Sequence, residues 1–250
     1  MKNNSNKIVA IIQARMGSTR LPGKVLMEVN GKPLLETMLS RVAKSKLINK
    51  IIIATSTLPK DNQIDEFCIN NGYECFRGSE NDVLSRYYEC SKKYNADVIV
   101  RLTADCPLID SEIIDKAINY YLEKNVDYTA NTVPPKKSTF PDGSDVEVFS
   151  MSALEKANTN VKDLKDREHV TFYFWKYNNV FKTGQIIQKE DWSKYRITVD
   201  YPEDFEVISF LFKEIKKRGI RGTTKEIVDI LDENPNIFNK NAMYTYGMNW

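Results

Sequence analysis

Arg15, Arg20 and Lys24 stand within ten residues of one another in the stretch I-I-Q-A-R-M-G-S-T-R-L-P-G-K-V-L (Ile11 to Leu26), interleaved with Gly17, Ser18, Pro22 and Gly23. Small residues let a backbone approach a ligand closely and turn successive amides toward an anion. Three cations beside them suit a ligand with several negative charges. A packed core needs none of this, so the stretch reads as a polyphosphate cradle. It is not a P-loop: five residues rather than four separate Gly17 from Gly23-Lys24, and Val25 stands where a Ser or Thr would bind magnesium. The glycine spacing of the dinucleotide fingerprint is absent as well. The plain alternative is a solvated basic turn. Against it, the apolar run Ile8, Val9, Ala10, Ile11, Ile12 puts the loop at the carboxyl end of a buried strand, where open α/β sheets bind ligands.

Two aspartates end similar apolar runs. Asp105 follows V-I-V-R-L-T-A and precedes Cys106-Pro107; Asp200 follows R-I-T-V and precedes Tyr201-Pro202. Each proline blocks further strand pairing and leaves the acid in a loop at the strand's end. If both strands run parallel to the first, both acids share the cradle's edge of the sheet. There they could hold magnesium, which favours carboxylate and phosphate oxygens with retained waters. Capping is the alternative role, most directly for Asp200 before a helix starting at Pro202-Glu203-Asp204. Cations on one side and a metal on the other would neutralise charge on phosphates during phosphoryl or nucleotidyl transfer.

The elements that must position these groups alternate. Lys7 to Ala14, Lys50 to Thr55, Tyr73 to Phe76 and Asp97 to Leu102 read as strands. Between and after them, helical faces run through Leu34–Val42, Ile64–Cys68 (ending at Asn71-Gly72), Val83–Ser91 and Ile113–Tyr121. This predicts an α/β fold with a mostly parallel sheet and helices on both faces. From Thr129 to Gly143, with Pro134, Pro135 and Pro141, a long loop is expected. Beyond it, Val146 to Phe149, Asn179 to Gln188 and Tyr195 to Val199 read as strands, and Met151 to Asn158 and Arg167 to Tyr177 as helices. The second of these helices carries Phe172, Tyr173, Phe174, Trp175 and Tyr177, suited equally to a core or a subunit interface. The polar tail from Asn234 is expected to be loosely held.

Composition narrows the classes. The 250 residues are 42% hydrophobic and 28% charged, with a net charge of +2, so no global basic field for nucleic acid exists and any anion site is local. Apolar runs of about five residues fall far short of the ~20 that span a bilayer. The start M-K-N-N-S-N-K carries no cleavable apolar segment, so a cytoplasmic protein without a membrane partner is expected. Cys68, Cys75, Cys90 and Cys106 form no C-x-x-C pair and read as buried free thiols.

The cradle, with R-G-S-E-N-D-V-L-S-R-Y (Arg77 to Tyr87), R-L-T-A-D-C-P-L-I (Arg101 to Ile109), P-D-G-S-D-V-E-V-F (Pro141 to Phe149), R-E-H-V-T (Arg167 to Thr171) and T-V-D-Y-P-E-D-F (Thr198 to Phe205), closely resembles the cytidylyltransferases of the spore-coat-polysaccharide type. These are relatives of the enzymes that make CMP derivatives of 3-deoxy-manno-octulosonate and sialic acid. The resemblance runs in order from about Ile8 to about Phe212. It implies a nucleotide-diphospho-sugar transferase-like fold with an inserted β/α arm: one domain over 1–233, residues 129–190 as an acceptor-side and dimerisation insertion, and 234–250 as tail. It implies a homodimer that moves CMP from CTP to a sugar acid or similar acidic metabolite, releasing pyrophosphate, for surface polysaccharide or glycoconjugate synthesis.

By the same resemblance, Arg15, Gly17, Ser18, Arg20 and Lys24 would hold the triphosphate, Asp105 and Asp200 would bind magnesium, and Ala14, Thr55, Gly78, Ser79 and Thr103 would surround the cytidine. Arg15, Lys24, Asp105 and Asp200 would carry catalysis. Asp145, Glu147, Arg167, Glu168 and His169 would face the acceptor. The octulosonate and sialic-acid branches differ there, so their acceptor residues do not transfer. His169, the only histidine, stays open between base, substrate contact and structural hydrogen-bonder. Two other functions are weighed. A nucleotide-sugar-dependent glycosyltransferase would need a D-x-D motif after a strand, for which D-V-E at Asp145 is the only near match. A non-catalytic nucleotide-binding protein would not need every cradle cation and both acids.

Overall fold

The computed structural model describes residues 6–134, 137–176 and 179–244. In chain order the first half comprises β1 (Ile8–Gln13), a short hairpin of β2 (Glu28–Val29) and β3 (Lys32–Pro33), α1 (Leu34–Val42), β4 (Lys50–Ser56), α2 (Asn62–Asn71), β5 (Cys75–Gly78), α3 (Val83–Lys93), β6 (Val98–Thr103) and α4 (Ser111–Lys124). The second half comprises β7 (Tyr128–Ala130), β8 (Glu147–Ser150), α5 (Met151–Asn160), α6 (Leu164–Glu168), α7 (Phe172–Lys176), β9 (Thr183–Gln185), α8 (Pro202–Arg218), α9 (Thr224–Glu233) and α10 (Pro235–Phe238). Among the described residues the main sheet has seven strands in the order β5-β4-β1-β6-β8-β7-β9. Only β8 runs against its neighbours, so the expected mostly parallel α/β sheet is what forms.

Alternation along the strands divides the interior. Ile8, Ala10 and Ile12 of β1 join Val98, Val100 and Leu102 of β6 in a core under α1 and α4. Val9 and Ile11 face the other side, with Ile99, Leu84 and Tyr87 of α3 and Phe149 of β8. With a period of two, successive side chains serve opposite layers, and burial on both faces explains the near-continuous apolar runs. Gly72 ends α2 at φ 71°, the left-handed cap expected of Asn-Gly. Among the described residues no helix is long and apolar enough to cross a membrane. All four cysteines are free; Cys75 is half-buried and the others buried.

Several segments differ from expectation. Tyr195–Val199 is extended but joins no ladder; its single bridge pairs Arg196 with Asp142. Tyr195, Ile197 and Val199 instead pack on α8 and α9 in a third core, so a strand-like pattern is satisfied by helices rather than by sheet neighbours. The expected helix from Arg167 breaks into α6 and α7, because Val170 sits at φ 60°, a conformation costly for a β-branched residue; Tyr177 lies outside the described residues. Phe172 and Phe174 are buried, taking the core option. Within the loop expected from Thr129, Tyr128–Ala130 forms a strand in register with Glu147–Phe149; Pro135 lies outside the described residues. The strand expected over Asn179–Gln188 is confined to Thr183–Gln185. The tail is docked as far as it is described. Asn241 is buried, with its amide on Asp204 Oδ1 at 2.9 Å and the Arg196 carbonyl at 3.2 Å, and Tyr244 stacks on Tyr201 at 3.8 Å between centroids.

Candidate active site

At the carboxyl edge of β1 and β6 lies a cleft of about 600 Å³, within the ~300–1,000 Å³ usual for ligand pockets. Its floor is the cradle. Gly23 takes φ 72°, and its amide closes the loop on the Met16 carbonyl at 3.0 Å. Met16 N donates to Asp61 Oδ1 at 2.7 Å, and Ser56 Oγ donates to Asp61 Oδ2, so a buried acid ties the loop to the end of β4. A Cβ on Gly17 would lie 2.5 Å from Lys60 Nζ, so a larger residue there would displace the tip of that exposed lysine from over the loop. The amides of Gly17, Ser18, Thr19 and Arg20 have no acceptor among the described residues, which leaves them available to an anion.

Lys24 is the pivot of the site. Its ammonium, buried at 8% exposure, donates to Val199 O at 2.6 Å, to Asp105 Oδ2 at 3.1 Å and to Asp200 Oδ1 at 2.9 Å. Burial works to lower its pKa, but Asp105 and Asp200 outweigh that and the net shift is upward, so it stays charged. Asp105 reaches it from β6. Asp200 reaches it from the extended segment, which is fastened to Asp105 by Val199 N on the Asp105 carbonyl at 2.8 Å and by Thr198 Oγ1 at 3.1 Å. Two acids 95 positions apart in sequence thus share one cation.

Asp200 also accepts from Arg20 at 2.8 Å and Arg196 at 3.2 Å. Burial works to raise its pKa, yet Lys24 and Arg20 carry it below the ordinary range. Behind it, fully buried Asp204 accepts both Nε and Nη2 of Arg196, at 2.8 and 2.9 Å, and the amides of Asp200 and Tyr201, at 2.9 and 3.0 Å. Arg196 also pairs with Asp142. Burial, then Asp145, pushes the Asp142 carboxyl above its ordinary range against the pull of Arg196, and Asp200 and Asp105 push the same way. Six carboxylates and seven Lys and Arg side chains line the cleft, so its charges nearly balance, and a metal ion would share Asp105 and Asp200 with Lys24. Among the described residues no three His, Cys, Asp or Glu side chains surround a common point. Hard oxygen donors on only two aspartates suit magnesium, which takes one or two carboxylates and completes its shell with phosphate oxygens and water.

The other expected residues separate into groups. Ala14, Arg15, Ser18, Arg20, Lys24, Thr103, Asp105, Asp145, Glu147, Glu168, His169 and Asp200 all line the cleft. Arg15 is exposed and has no carboxylate partner among the described residues. Thr55 is fully buried behind the wall, its hydroxyl without a partner. Gly78 and Ser79 line an adjoining groove instead. Arg167 is away from the cleft wall: its Nε holds Asp82 Oδ2 at 2.8 Å, and its Nη atoms hold Asn158 and Val161 at 2.7–3.1 Å. Asp145 accepts from Thr132 Oγ1 at 2.6 Å and Gly143 N at 2.9 Å. Glu147 is bound by Arg101 and by the Tyr128 hydroxyl. His169 stacks on Phe172 at 4.1 Å, and burial lowers its pKa despite Glu168, which favours the neutral ring. Burial, Asp105 and Asp145 hold the Cys106 thiol protonated.

Sequence reading assigned no role to Arg86, Arg101, Asp142, Arg196, Asp204 or Asn241. Signals existed for the first two: Arg101 interrupts an apolar strand, and Arg86 lies on the buried face of α3 with Val83, Tyr87 and Cys90.

Residues 9–243 match the family model described as cytidylyltransferase. The spore coat polysaccharide biosynthesis protein SpsF of Bacillus subtilis is 34% identical over 238 residues, covering 92% of this chain and 96% of that protein. The 3-deoxy-manno-octulosonate cytidylyltransferase of Geobacter metallireducens is 32% identical over 200 residues, 74% of this chain and 76% of that one. A cytidylyltransferase structure from Leptospira borgpetersenii superposes with a TM-score of 0.86 at 34% identity, over 93% of this chain and 97% of that one. A match across nearly the whole chain, with the cradle and its aspartates inside it, means that this protein belongs to the cytidylyltransferase family.

Proposed function

We propose that the protein transfers CMP from CTP to a sugar acid or similar acidic metabolite, with release of pyrophosphate, in surface polysaccharide or glycoconjugate synthesis. Family membership supports nucleotidyl transfer, and the relatives, a 3-deoxy-manno-octulosonate cytidylyltransferase and a spore coat polysaccharide biosynthesis protein, support a keto sugar acid as the kind of acceptor and a polysaccharide as the destination. The observation that carries the reading is the Lys24 ammonium held between Asp105 and Asp200 at the mouth of the cradle.

In this reading Arg15, Arg20, Lys24 and the free cradle amides bind the triphosphate and neutralise charge as the acceptor oxygen attacks in line. Asp105 and Asp200 hold magnesium, which when bound offsets charge on the reacting phosphate. Neutral His169 can accept a hydrogen bond from the acceptor hydroxyl, and its stacking on Phe172 fixes the ring plane. The protein works in the cytoplasm without nucleic acid or membrane. It forms a homodimer through residues 129–190, where Leu164 and Ile187 are 80% and 62% exposed. The test is pyrophosphate release with CTP and magnesium across a panel of sugar acids. Asp105→Asn should abolish release while CTP still binds; unchanged turnover would remove the metal assignment.

A further inference from the structure

Arg86 is the buried cation that the arrangement above leaves unused. It is 3% exposed on the inner face of α3, lining both the main cleft and the adjoining groove. Its single hydrogen bond runs from Nη1 to Ser79 O at 3.1 Å. Nε is buried without a partner, Nη2 has no acceptor, and no carboxylate pairs with it among the described residues. Among the described residues the other enclosed guanidiniums have charged or carbonyl partners: Arg101 has Glu147, although its Nε is also unpartnered, Arg196 has three aspartates and Arg41 four backbone carbonyls. Burial works most strongly against the charge on Arg86 and nearby Arg15 adds to it; Tyr87, Asp61 and Glu80 favour the charge but do not outweigh them, and the net shift of its pKa is downward. An unpaired ion in such surroundings is costly, and a ligand with acceptors would relieve it.

The surroundings also fit a ligand. The Arg86 stem lies flat on Gly78, where a Cβ would meet its Cγ at 2.9 Å, so that glycine makes room for the side chain. The guanidinium is thereby set at the seam between the cradle and the Gly78-Ser79 turn. Two of the phosphate-facing cations, Arg20 and Lys24, sit on Asp105 and Asp200 instead, while Arg15 lies nearer to Arg86. A flat, uncharged group with two adjacent acceptors costs less to desolvate at a closed site than a phosphate does.

We propose that Arg86 reads the pyrimidine edge of the nucleotide, its unclaimed N–H donors meeting O2 and N3 of cytosine. A guanidinium can only donate. Cytosine offers acceptors at both O2 and N3, whereas uracil presents an N–H at N3, so the same fork rejects UTP. This assignment rests on CTP being the donor. A paired fork is worth ~1–3 kcal/mol against the wrong base, about tenfold to a hundredfold in affinity.

Titration calorimetry with CTP, UTP and inorganic tripolyphosphate tests it on the wild type and on Arg86→Met, which keeps a stem over Gly78. The wild type should prefer CTP over UTP by tenfold or more. Arg86→Met should bind CTP about tenfold to a hundredfold more weakly, at the level of UTP, with tripolyphosphate within twofold of the wild type. Its unliganded melting temperature should be unchanged or higher, because an unanswered buried charge is gone. Arg86→Lys, tested in parallel should the first variant fail to fold, must show the same loss of base preference. A retained preference overturns the proposal, and an equal loss of tripolyphosphate binding overturns it by making Arg86 a phosphate ligand. A wild type that binds neither CTP nor tripolyphosphate would refute the donor reading itself.

Discussion

Replacing Asp204 by Asn tests whether the network behind Asp200 is the anchor of the site. The carboxylate is fully buried and accepts five donors: Nε and Nη2 of Arg196, the amides of Asp200 and Tyr201, and Nδ2 of Asn241. An asparagine keeps one acceptor oxygen and turns an NH2 group toward donors already present. Breaking a buried ion pair costs ~3–5 kcal/mol. Arg196 retains Asp142 and Asp200, so the lower end, about 3 kcal/mol, is expected. For a chain of this size that corresponds to a fall of roughly 6–12 °C in melting temperature, read by circular dichroism. Asp229→Asn is the control, because its partner Lys225 is exposed and solvent screens such a pair, so its melting temperature should stay at the wild-type value. The variant should also lose pyrophosphate release beyond its loss of folded protein, since the Asp200 amide is no longer held. A melting temperature within 2 °C of the wild type would refute the anchoring argument.

Arg167→Met should lower stability by roughly 2 kcal/mol, since it removes charge-assisted bonds to Asp82 and to Asn158 that are only partly screened. KM for both substrates should stay unchanged; a selective rise in acceptor KM would return Arg167 to the substrate. For His169, burial depresses the folded pKa below the ordinary ~6.5. The unfolded chain therefore takes up a proton first as pH falls, and stability is full above about pH 6.5 and declines below it. Urea unfolding of the wild type should weaken between pH 7 and pH 5 by more than that of His169→Gln; parallel profiles would rule out a buried neutral imidazole.

Local pattern carried much of this protein. The apolar runs of β1, β4 and β6 announce buried strands because both of their faces are covered, and Gly23 and Gly72 mark backbone turns that are readable one residue at a time. The cradle's cations and small residues are contiguous, so their collective chemistry is visible in the sequence. Asp105 is equally legible, as an acid at the end of a buried strand.

Tertiary structure decided which charges answer one another. Helical spacing puts Arg86 on a buried face, but nothing local says that Arg167 meets an aspartate 85 positions away while Arg86 pairs with no carboxylate among the described residues. Nor does the alternation Tyr195, Ile197, Val199 say whether its apolar side meets strands or helices; here α8 and α9 supply the cover, and that choice brings Asp200 to Lys24. Hydrophobic periodicity records that a face is buried but carries no record of its partner. Partner choice among charged side chains depends on distances set only after the whole chain has packed, so the grouping of the cleft's ions belongs to the fold.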